Sequence, residues 1–273
     1  MKLILSFFFV LFISFSNSQS TTKEIIKEMS KTIEGIETLQ YDLFSWESFG
    51  KKTKHQIMFV KLRKKPFEVY VKTKTINNGA EMLYSEKQKK VTINPNKRIS
   101  KNIKVEPTSK IITNGMHHTL FESGFDYFNK ITKSLLKEEK NMKTTTKDTI
   151  IDKKEVVKVT VLKKELKLKK YKIKPKETLR EICLNKNINT YFVYRTNKKI
   201  LKNKKKIAGE TILIPNTYAE KIELYIEKER KIPVQINVYM EKKLFEKYVF
   251  KNIQINPKYN KNEITLKNKE YGF

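Results

Sequence analysis

Residues that commonly carry out acid–base or metal chemistry are rare in this sequence. Its histidines are His55, His117 and His118, and its single cysteine is Cys183. No cysteine or carboxylate near these histidines completes a recognised zinc-binding motif, so the sequence predicts no metal site. Cys183 has no evident base beside it, and we interpret it as a small apolar residue of a helix core.

Sequence motifs of the common enzyme classes are missing as well. The sequence has no Gly-x-Ser-x-Gly motif, and its seven glycines include no phosphate-binding loop. A pair of catalytic carboxylates, as in glycosidases, is assembled in space and cannot be recognised from spacing alone. We therefore expect a protein that is not an enzyme and that needs no cofactor. A hydrolase with an unrecognised site is the weakest alternative.

The chain is strongly basic. Its 59 lysines and arginines exceed its 29 acidic residues, which gives a formal net charge of +30. Nearly all of these cations are lysines, whereas recognition of nucleic acid favours arginine, so we expect no nucleic-acid partner. A solvated lysine surface is the simpler interpretation, and attraction to anionic polymers of the cell envelope would follow from it.

The amino-terminal residues predict export. Lys2 precedes the apolar stretch Leu3–Phe15, and the small residues Ser16 and Ser18 follow it. A positively charged start, a short apolar core and small residues before the cleavage site are typical of a signal peptide, which we place at residues 1–18. The apolar stretch is shorter than the roughly 20 residues of a bilayer span. We expect a periplasmic protein without a transmembrane span.

Hydrophobic periodicity predicts two helices and a series of strands in the rest of the chain. Thr21 and Glu24 form a capping box before an apolar stripe of helical spacing, and a second helix is predicted within 119–138. Residues 96–118 have no periodicity and are predicted as a loop. Runs of β-branched and aromatic residues predict strands at 39–46, 56–62, 67–72, 81–84, 91–93, 156–161, 221–226, 234–239, 245–250 and 264–266.

These elements indicate an α+β fold. The strands are joined by short connections that favour antiparallel pairing, and several present apolar residues on one face and lysines on the other. The simplest packing is a curved antiparallel β half-barrel that wraps its apolar concave face around the two helices.

Residues 171–216 interrupt this pattern with a compact strand–helix–helix–strand (βααβ) unit. A strand at 171–173 is followed by a capping box of Thr178 and Glu181, which begins one helix. Asn189 can cap a second helix, and Ile212–Pro215 forms the closing strand.

This unit resembles the LysM module. Its opening, Tyr171 to Leu179, and its close, Gly209 to Pro215, follow the family's pattern, although Lys176 stands where the family usually has glycine. LysM modules bind polymers of N-acetylglucosamine, so the resemblance implies peptidoglycan as a partner. Carried over position by position, the family's glycan-binding groove comprises Lys176, Glu177, Thr178, Leu179, Asn197, Ile207, Ala208 and Gly209.

The residues on either side resemble the LolA-like superfamily, which includes outer-membrane lipoprotein carriers. The resemblance rests on the order of helix and strands, on Tyr84 to Pro95 and on Ile232 to Ile236. It implies a half-open barrel that is covered by helices and contains an apolar cavity for acyl chains. We accordingly divide the mature chain into a half-barrel domain, 19–168 with 217–273, and an inserted LysM-like module, 169–216.

The number of apolar side chains also favours a cavity, because the strands carry more of them than are needed to pack against two helices. We expect the cavity to be lined by Phe59, Val69, Val71, Tyr84 and Ile93. Alternatively, the phenylalanines of the helix within 119–138 fill the concavity. The sequence therefore predicts an envelope protein that binds peptidoglycan and a lipid or lipoprotein. The alternatives are a scaffold with a filled barrel and no lipid ligand and, more weakly, a wall hydrolase.

Overall fold

A computed structural model describes residues 21–75, 79–96, 101–107, 109–113, 116–137, 142–163, 165–202 and 207–273. The predicted signal peptide, residues 1–18, lies outside these described residues. The helices are α1 (Thr22–Glu34), α2 (Lys110–Thr113), α3 (Asp126–Leu136), α4 (Leu179–Lys186), α5 (Thr190–Thr196) and α6 (Lys198–Leu201), and a 3-10 turn spans Leu120–Glu122. The strands are β1 (Thr38–Phe49), β2 (Lys52–Arg63), β3 (Glu68–Thr73), β4 (Glu81–Ser85), β5 (Val91–Asn94), β6 (Ile103–Val105), β7 (Met142–Ile151), β8 (Lys154–Lys163), β9 (Leu168–Lys172), β10 (Thr211–Pro215), β11 (Lys221–Glu227), β12 (Ile232–Met240) and β13 (Lys243–Ile255).

One large antiparallel sheet dominates the structure. It has 11 strands in the order β6-β5-β4-β3-β2-β1-β13-β12-β11-β8-β7, so β6 and β7 are its two ends and the sheet is not closed. A single apolar cluster contains residues of α1, α3 and strands from β5 at one end of the sheet to β7 at the other. The sheet therefore curves around the two helices, which confirms the predicted α+β class and the curved antiparallel sheet.

Helix α1 begins as the sequence predicts. The Glu24 carboxylate accepts a 2.7 Å hydrogen bond from the Thr21 backbone N–H, and the Thr21 hydroxyl accepts one from the Glu24 N–H. Ile26, Met29 and Ile33 lie on the buried face of the helix. No helix in the described part of the chain has both the length and the apolar character that a bilayer span requires.

Outside the segment 168–216, the structure differs from the predicted elements at three places. Strand β7 is not predicted, because it is an edge strand of lysines and threonines without apolar alternation. The predicted loop 96–118 contains the short elements β6 and α2. The predicted strand 264–266 is wrong, since these residues lie in turns.

The C-terminal segment, residues 257–273, instead packs on the outer face of the sheet. The ring of Tyr271 stacks on Tyr70 with centroids 3.7 Å apart, and Ile264 is buried against Tyr70 and Leu83. The Glu81 carboxylate accepts a 2.6 Å hydrogen bond from the Gly272 N–H. This segment gives the outer face of β2–β4 its own apolar cluster.

The segment 168–216 lies between β8 and β11, which are neighbours in the large sheet. Strands β9 and β10 pair with each other, and α4, α5 and α6 pack against them around a separate small core. The predicted caps are present, because the Thr178 hydroxyl accepts a hydrogen bond from the Glu181 N–H and the Asn189 side chain accepts one from the Phe192 N–H. The two predicted strands and two predicted helices are present, and a third short helix, α6, lies where the sequence predicts none.

Candidate functional site

A cavity lies on the concave face of the sheet, beneath α3 and the 3-10 turn. Its volume is about 70 Å³, which is room for a few water molecules and well below the roughly 300–1,000 Å³ of typical small-molecule sites. Its walls are mainly apolar side chains of β1–β4, β13 and α3, among them Leu43, Met58, Val60, Val71, Met82, Phe128 and Phe250. In this conformation the helices fill most of the concavity.

One end of the cavity is polar. Glu47, His118, Glu122 and Tyr248 contribute to its lining there. The Tyr248 hydroxyl donates a 2.6 Å hydrogen bond to the Glu47 carboxylate, which also accepts one from the His117 N–H at 2.8 Å. The cavity thus combines apolar walls with groups able to hydrogen-bond a polar head.

The carboxylate of Glu246 organises the residues behind this polar end. It is fully buried and lies 2.7 Å from His117 Nδ1 and 3.4 Å from His118 Nε2. It also accepts hydrogen bonds from the Asn189 amide at 2.6 Å and from the Tyr218 hydroxyl at 2.8 Å. Strand β13, the chain before α3 and helix α5 therefore meet at one buried charge.

The electrostatics of this cluster favour an ion pair. Burial alone would lower the pKa of His118, but the charge of Glu246 and its hydrogen bond outweigh burial, and the pKa rises to about 9. Burial raises the pKa of Glu246, but His118 and the hydrogen bond from His117 reverse this and hold the pKa well below its usual range. His118 is therefore positively charged and Glu246 negatively charged at neutral pH.

We call residues 116–124 the cover segment, because most of them line the cavity from above. The Gly124 N–H donates a 2.9 Å hydrogen bond to the Tyr41 hydroxyl at the cavity wall. Arg180 of α4 pairs with Glu122 at 3.0 Å. Together with the contacts of His117 and His118 to Glu246, these bonds hold the cover segment closed from both the sheet and the segment 168–216.

The residues predicted to line the lipid cavity have different positions in the structure. Val71 lines the cavity, while Val69, Tyr84 and Ile93 belong to the concave apolar core. The prediction for Phe59 is wrong, since Phe59 points to the outer face and packs in the cluster with Tyr70 and the C-terminal segment. Its neighbour Val60 lines the cavity instead, because successive residues of a strand point to opposite faces.

The residues predicted for a glycan groove lie mostly on two adjoining loops. The Gly209 N–H donates to the Ile173 carbonyl at 2.8 Å, which brings the stretch of Ile207, Ala208 and Gly209 beside Lys176, Glu177, Thr178 and Leu179. Lys176 has the left-handed φ of 68°, a conformation that glycine adopts most easily. Asn197 is buried and bonds the backbone of Val193 and Leu213, so its side chain holds α5 to β10 and is not exposed on the groove.

The sequence did not identify the cluster around Glu246, since His117 and Glu246 are far apart in the chain. One signal was present: Glu246 shares the alternating apolar positions of Tyr248 and Phe250 on a strand. Glu47 likewise continues the inward positions of Leu39 and Tyr41 on β1. A carboxylate in such a row predicts a buried polar partner.

Two further features bear on the chemistry of the protein. Burial raises the pKa of the Cys183 thiol to about 12, so this cysteine is neutral and unreactive as a nucleophile. Within the described residues, no three His, Cys, Asp or Glu side chains are grouped so that they could hold a metal ion.

Comparison with solved structures gives similarities of low sequence identity. Lipoprotein LppX of Mycobacterium tuberculosis is 8% identical with a TM-score of 0.43, over 88% of this chain and 99% of that one. A LolA superfamily protein from Nitrosomonas europaea is 7% identical with a TM-score of 0.30, over 90% and 98%. An outer-membrane lipoprotein-sorting protein domain from Vibrio parahaemolyticus is 8% identical with a TM-score of 0.34, over 88% and 94%.

Comparison with curated proteins gives no match. The sequence model of the family DUF1571, described as a protein of unknown function, matches residues 45–192. The matched region runs from within β1 to within α5, and it includes part of the cavity wall, the cover segment and Asn189. Because this region is more than half of the chain, the protein belongs to the DUF1571 family.

Proposed function

We propose that this protein is a non-catalytic binding protein of the cell envelope, whose half-barrel accepts an acyl chain of a lipid or lipoprotein. The observation that carries the proposal is the cavity on the concave face, with apolar walls along its length and a polar end at His118 and Glu122. An acyl chain with a polar head matches this distribution. Each buried methylene contributes about 0.8 kcal/mol, so affinity arises without any further charged contact.

Uptake of a chain requires the cover segment to move. The closed cavity of about 70 Å³ is too small for an acyl chain. The cover segment is held by hydrogen bonds and by two ion pairs, Arg180 with Glu122 and His118 with Glu246, which can break without loss of the surrounding sheet. Met58, Met82 and Met116 line the cavity, and methionine side chains adapt readily to a ligand.

Uptake of a fluorescent fatty acid tests the proposal. We expect the wild-type protein to bind the probe and Val71→Phe to weaken binding at least about tenfold, because the larger ring occupies the cavity. Val249→Phe makes the same change at a partly exposed position of β13, next to Phe250 but on the opposite face, and should bind as the wild type does. Val71→Asp adds a second test, since a charge opposes an apolar chain.

Two results would overturn the proposal. If the folded wild-type protein takes up no acyl probe, the half-barrel is a filled scaffold for another protein. If Val249→Phe weakens uptake as much as Val71→Phe, the probe binds elsewhere. Loss of turbidity of a peptidoglycan suspension on adding the protein would instead indicate a wall hydrolase.

We propose peptidoglycan as a second ligand, bound by the segment 168–216. The observation that favours it is the left-handed backbone of Lys176, where the LysM family usually has glycine, on a loop beside residues 207–209. Pull-down with insoluble peptidoglycan at moderate salt tests this, because attraction between a lysine surface and an anionic wall is screened there. We expect Ala208→Trp, at an exposed loop position, to weaken binding, and Lys243→Gln on the large sheet to have no effect. Binding that disappears at moderate salt, or that survives Ala208→Trp, would exclude recognition by these loops.

A further inference from the structure

A second and larger depression lies on the helical side of the molecule, between α1 and α3. We call it the helix groove; its volume is about 680 Å³. Its floor contains Ile26, which is 2% exposed, and the partly buried Leu136. Helix α3 separates the two depressions, because Phe128 lines the cavity whereas Lys133 and Leu136 line the helix groove.

Lysines form the rim of the helix groove. Lys23, Lys27 and Lys31 project from α1, and Lys133 and Lys137 from the end of α3. The long methylene stems of lysines cover apolar surface while their ammonium groups remain in water. The helix groove therefore has an apolar floor and a positively charged edge.

The carboxylates in the helix groove are already engaged. Glu34 pairs with Lys133 at 2.8 Å, and Glu28 pairs with Lys231 at 3.2 Å. Glu24 accepts the hydrogen bond that caps α1. Among the described residues, no carboxylate forms an ion pair with Lys27, Lys31 or Lys137. These lysines leave a net positive charge that an external anion can neutralise.

We propose that the helix groove is the surface with which the protein contacts an anionic phospholipid membrane. Lysine ammonium groups attract phosphate headgroups as point charges. The partly exposed Leu136 and the methylene stems of the rim lysines favour an amphiphile over a fully hydrophilic polyanion, because only an amphiphile can cover this apolar surface. This proposal goes beyond ligand uptake in the cavity, since it concerns a different surface and a different contact.

Flotation with lipid vesicles tests the proposal. The full mature chain is mixed with vesicles of phosphatidylcholine alone or of phosphatidylcholine with phosphatidylglycerol. We expect binding only to the anionic vesicles, and Lys27→Gln with Lys31→Gln to weaken it roughly 25-fold, since each lysine near a membrane contributes about a fivefold factor. The control is Lys258→Gln with Lys267→Gln, which removes the same charge from exposed positions of the C-terminal segment.

Three further measurements distinguish the possible outcomes. Leu136→Ser should also weaken vesicle binding if the floor takes part, and soluble glycerol phosphate should not compete. Equal weakening by the control pair, or competition by glycerol phosphate, would show general charge attraction or a free-anion site and overturn the proposal. Fatty-acid uptake by Lys27→Gln with Lys31→Gln should equal that of the wild type. This comparison separates failure of the membrane surface from failure of the cavity proposal.

Discussion

Glu246 shows how a single residue joins distant parts of this chain. Two histidines, an amide and a tyrosine hydroxyl surround its carboxylate in a place without solvent. A buried charge is tolerated only when it is paired and hydrogen-bonded, and here both conditions are met. Removing one partner from such a cluster is expected to lower the free energy of unfolding more than breaking any surface ion pair does.

Stability should depend on pH through His118. Its pKa is about 9 in the folded state against 6.5 for the ordinary group, so the contribution to stability is full below pH 6.5 and is lost as the pH rises through 9. The loss is at most about 3 kcal/mol, at 1.36 kcal/mol for each pKa unit. Urea unfolding at a series of pH values measures it, together with NMR titration of the His118 ring.

Glu246→Gln should remove this dependence. Without the carboxylate, burial lowers the pKa of His118, so the ring becomes neutral and the free energy of unfolding no longer falls between pH 6.5 and 9. At pH 7 the substitution should lower the free energy of unfolding by about 3 kcal/mol. Glu241→Gln, which breaks the exposed pair with Arg195, should leave the dependence intact. An unchanged His118 titration in Glu246→Gln would contradict this account of the cluster.

Among the structural elements, the cover segment and the C-terminal segment are both irregular, but they pack on different faces of the sheet. The cover segment lies over the cavity and is attached at its edges to β1, β13 and α4. The C-terminal segment lies on the outer face and buries aromatic rings of its own. We therefore expect changes in the first to affect ligand access and changes in the second to affect stability alone.

Arg180→Gln should loosen the cover segment. It breaks the pair with Glu122, whose side chain is 7% exposed, and leaves that carboxylate without its cation. Hydrogen exchange of residues 116–124 should become at least about tenfold faster, equivalent to about 1.4 kcal/mol, and uptake of the fatty-acid probe should become faster. Arg195→Gln removes a cation from the segment 168–216 as well, but it breaks an exposed pair with Glu241 in the turn before β13, so it should change neither measurement. Equal acceleration by both variants would mean that Arg180 acts only through general stability.

Tyr271→Ala should destabilise the fold without affecting uptake. The substitution removes the ring stacked on Tyr70 and the hydroxyl hydrogen bond to the Glu263 carbonyl at 2.7 Å. We expect a loss of about 2–3 kcal/mol in urea unfolding. Tyr271→Phe keeps the ring and should lose only about 1 kcal/mol. Reduced fatty-acid affinity in folded Tyr271→Ala would contradict the separation of the two faces.

In the whole molecule, the segment 168–216 has a core of its own and also contacts the rest of the structure. Its core is distinct from the core of the large sheet, yet Phe192 packs on Met240 and Phe245, and Asn189 reaches Glu246. Lys130 and Ser134 of α3 also bond Leu184 and Asn187 of this segment. This segment therefore contacts both α3 and, through Arg180, the cover segment.

Deletion of residues 169–216 with a short linker tests this arrangement. Because β8 and β11 pair directly, the large sheet should still unfold in one cooperative thermal transition. The transition should occur at a lower temperature, since exposing Met240 and Phe245 and removing the Asn189 bond costs roughly 3 kcal/mol. Loss of the cooperative transition would show that the segment is an integral part of the half-barrel.

Elements whose signals are local can be predicted from the sequence alone. Capping boxes at Thr21 and Thr178 satisfy free amides within four residues, so the starts of α1 and α4 follow from the chain alone. The period of two in most strands likewise depends only on neighbours, and it predicted the curved antiparallel sheet. It failed for β7 and for residues 264–266, where pairing at an edge and packing on an outer face decide the conformation.

The face that each strand presents and the charges that meet depend instead on the tertiary fold. Phe59 and Val60 are both apolar, and the pleat of β2 with the cover of the C-terminal segment placed Phe59 outside and Val60 at the cavity. Asn197 is a polar residue of the kind that binds ligands at a protein surface, but β10 packs against it and buries its side chain. His117, Asn189 and Glu246 come together because β13 passes between the cover segment and α5. Such contacts join residues far apart in the chain, and their energy depends on burial that exists only after the sheet has curved around the helices.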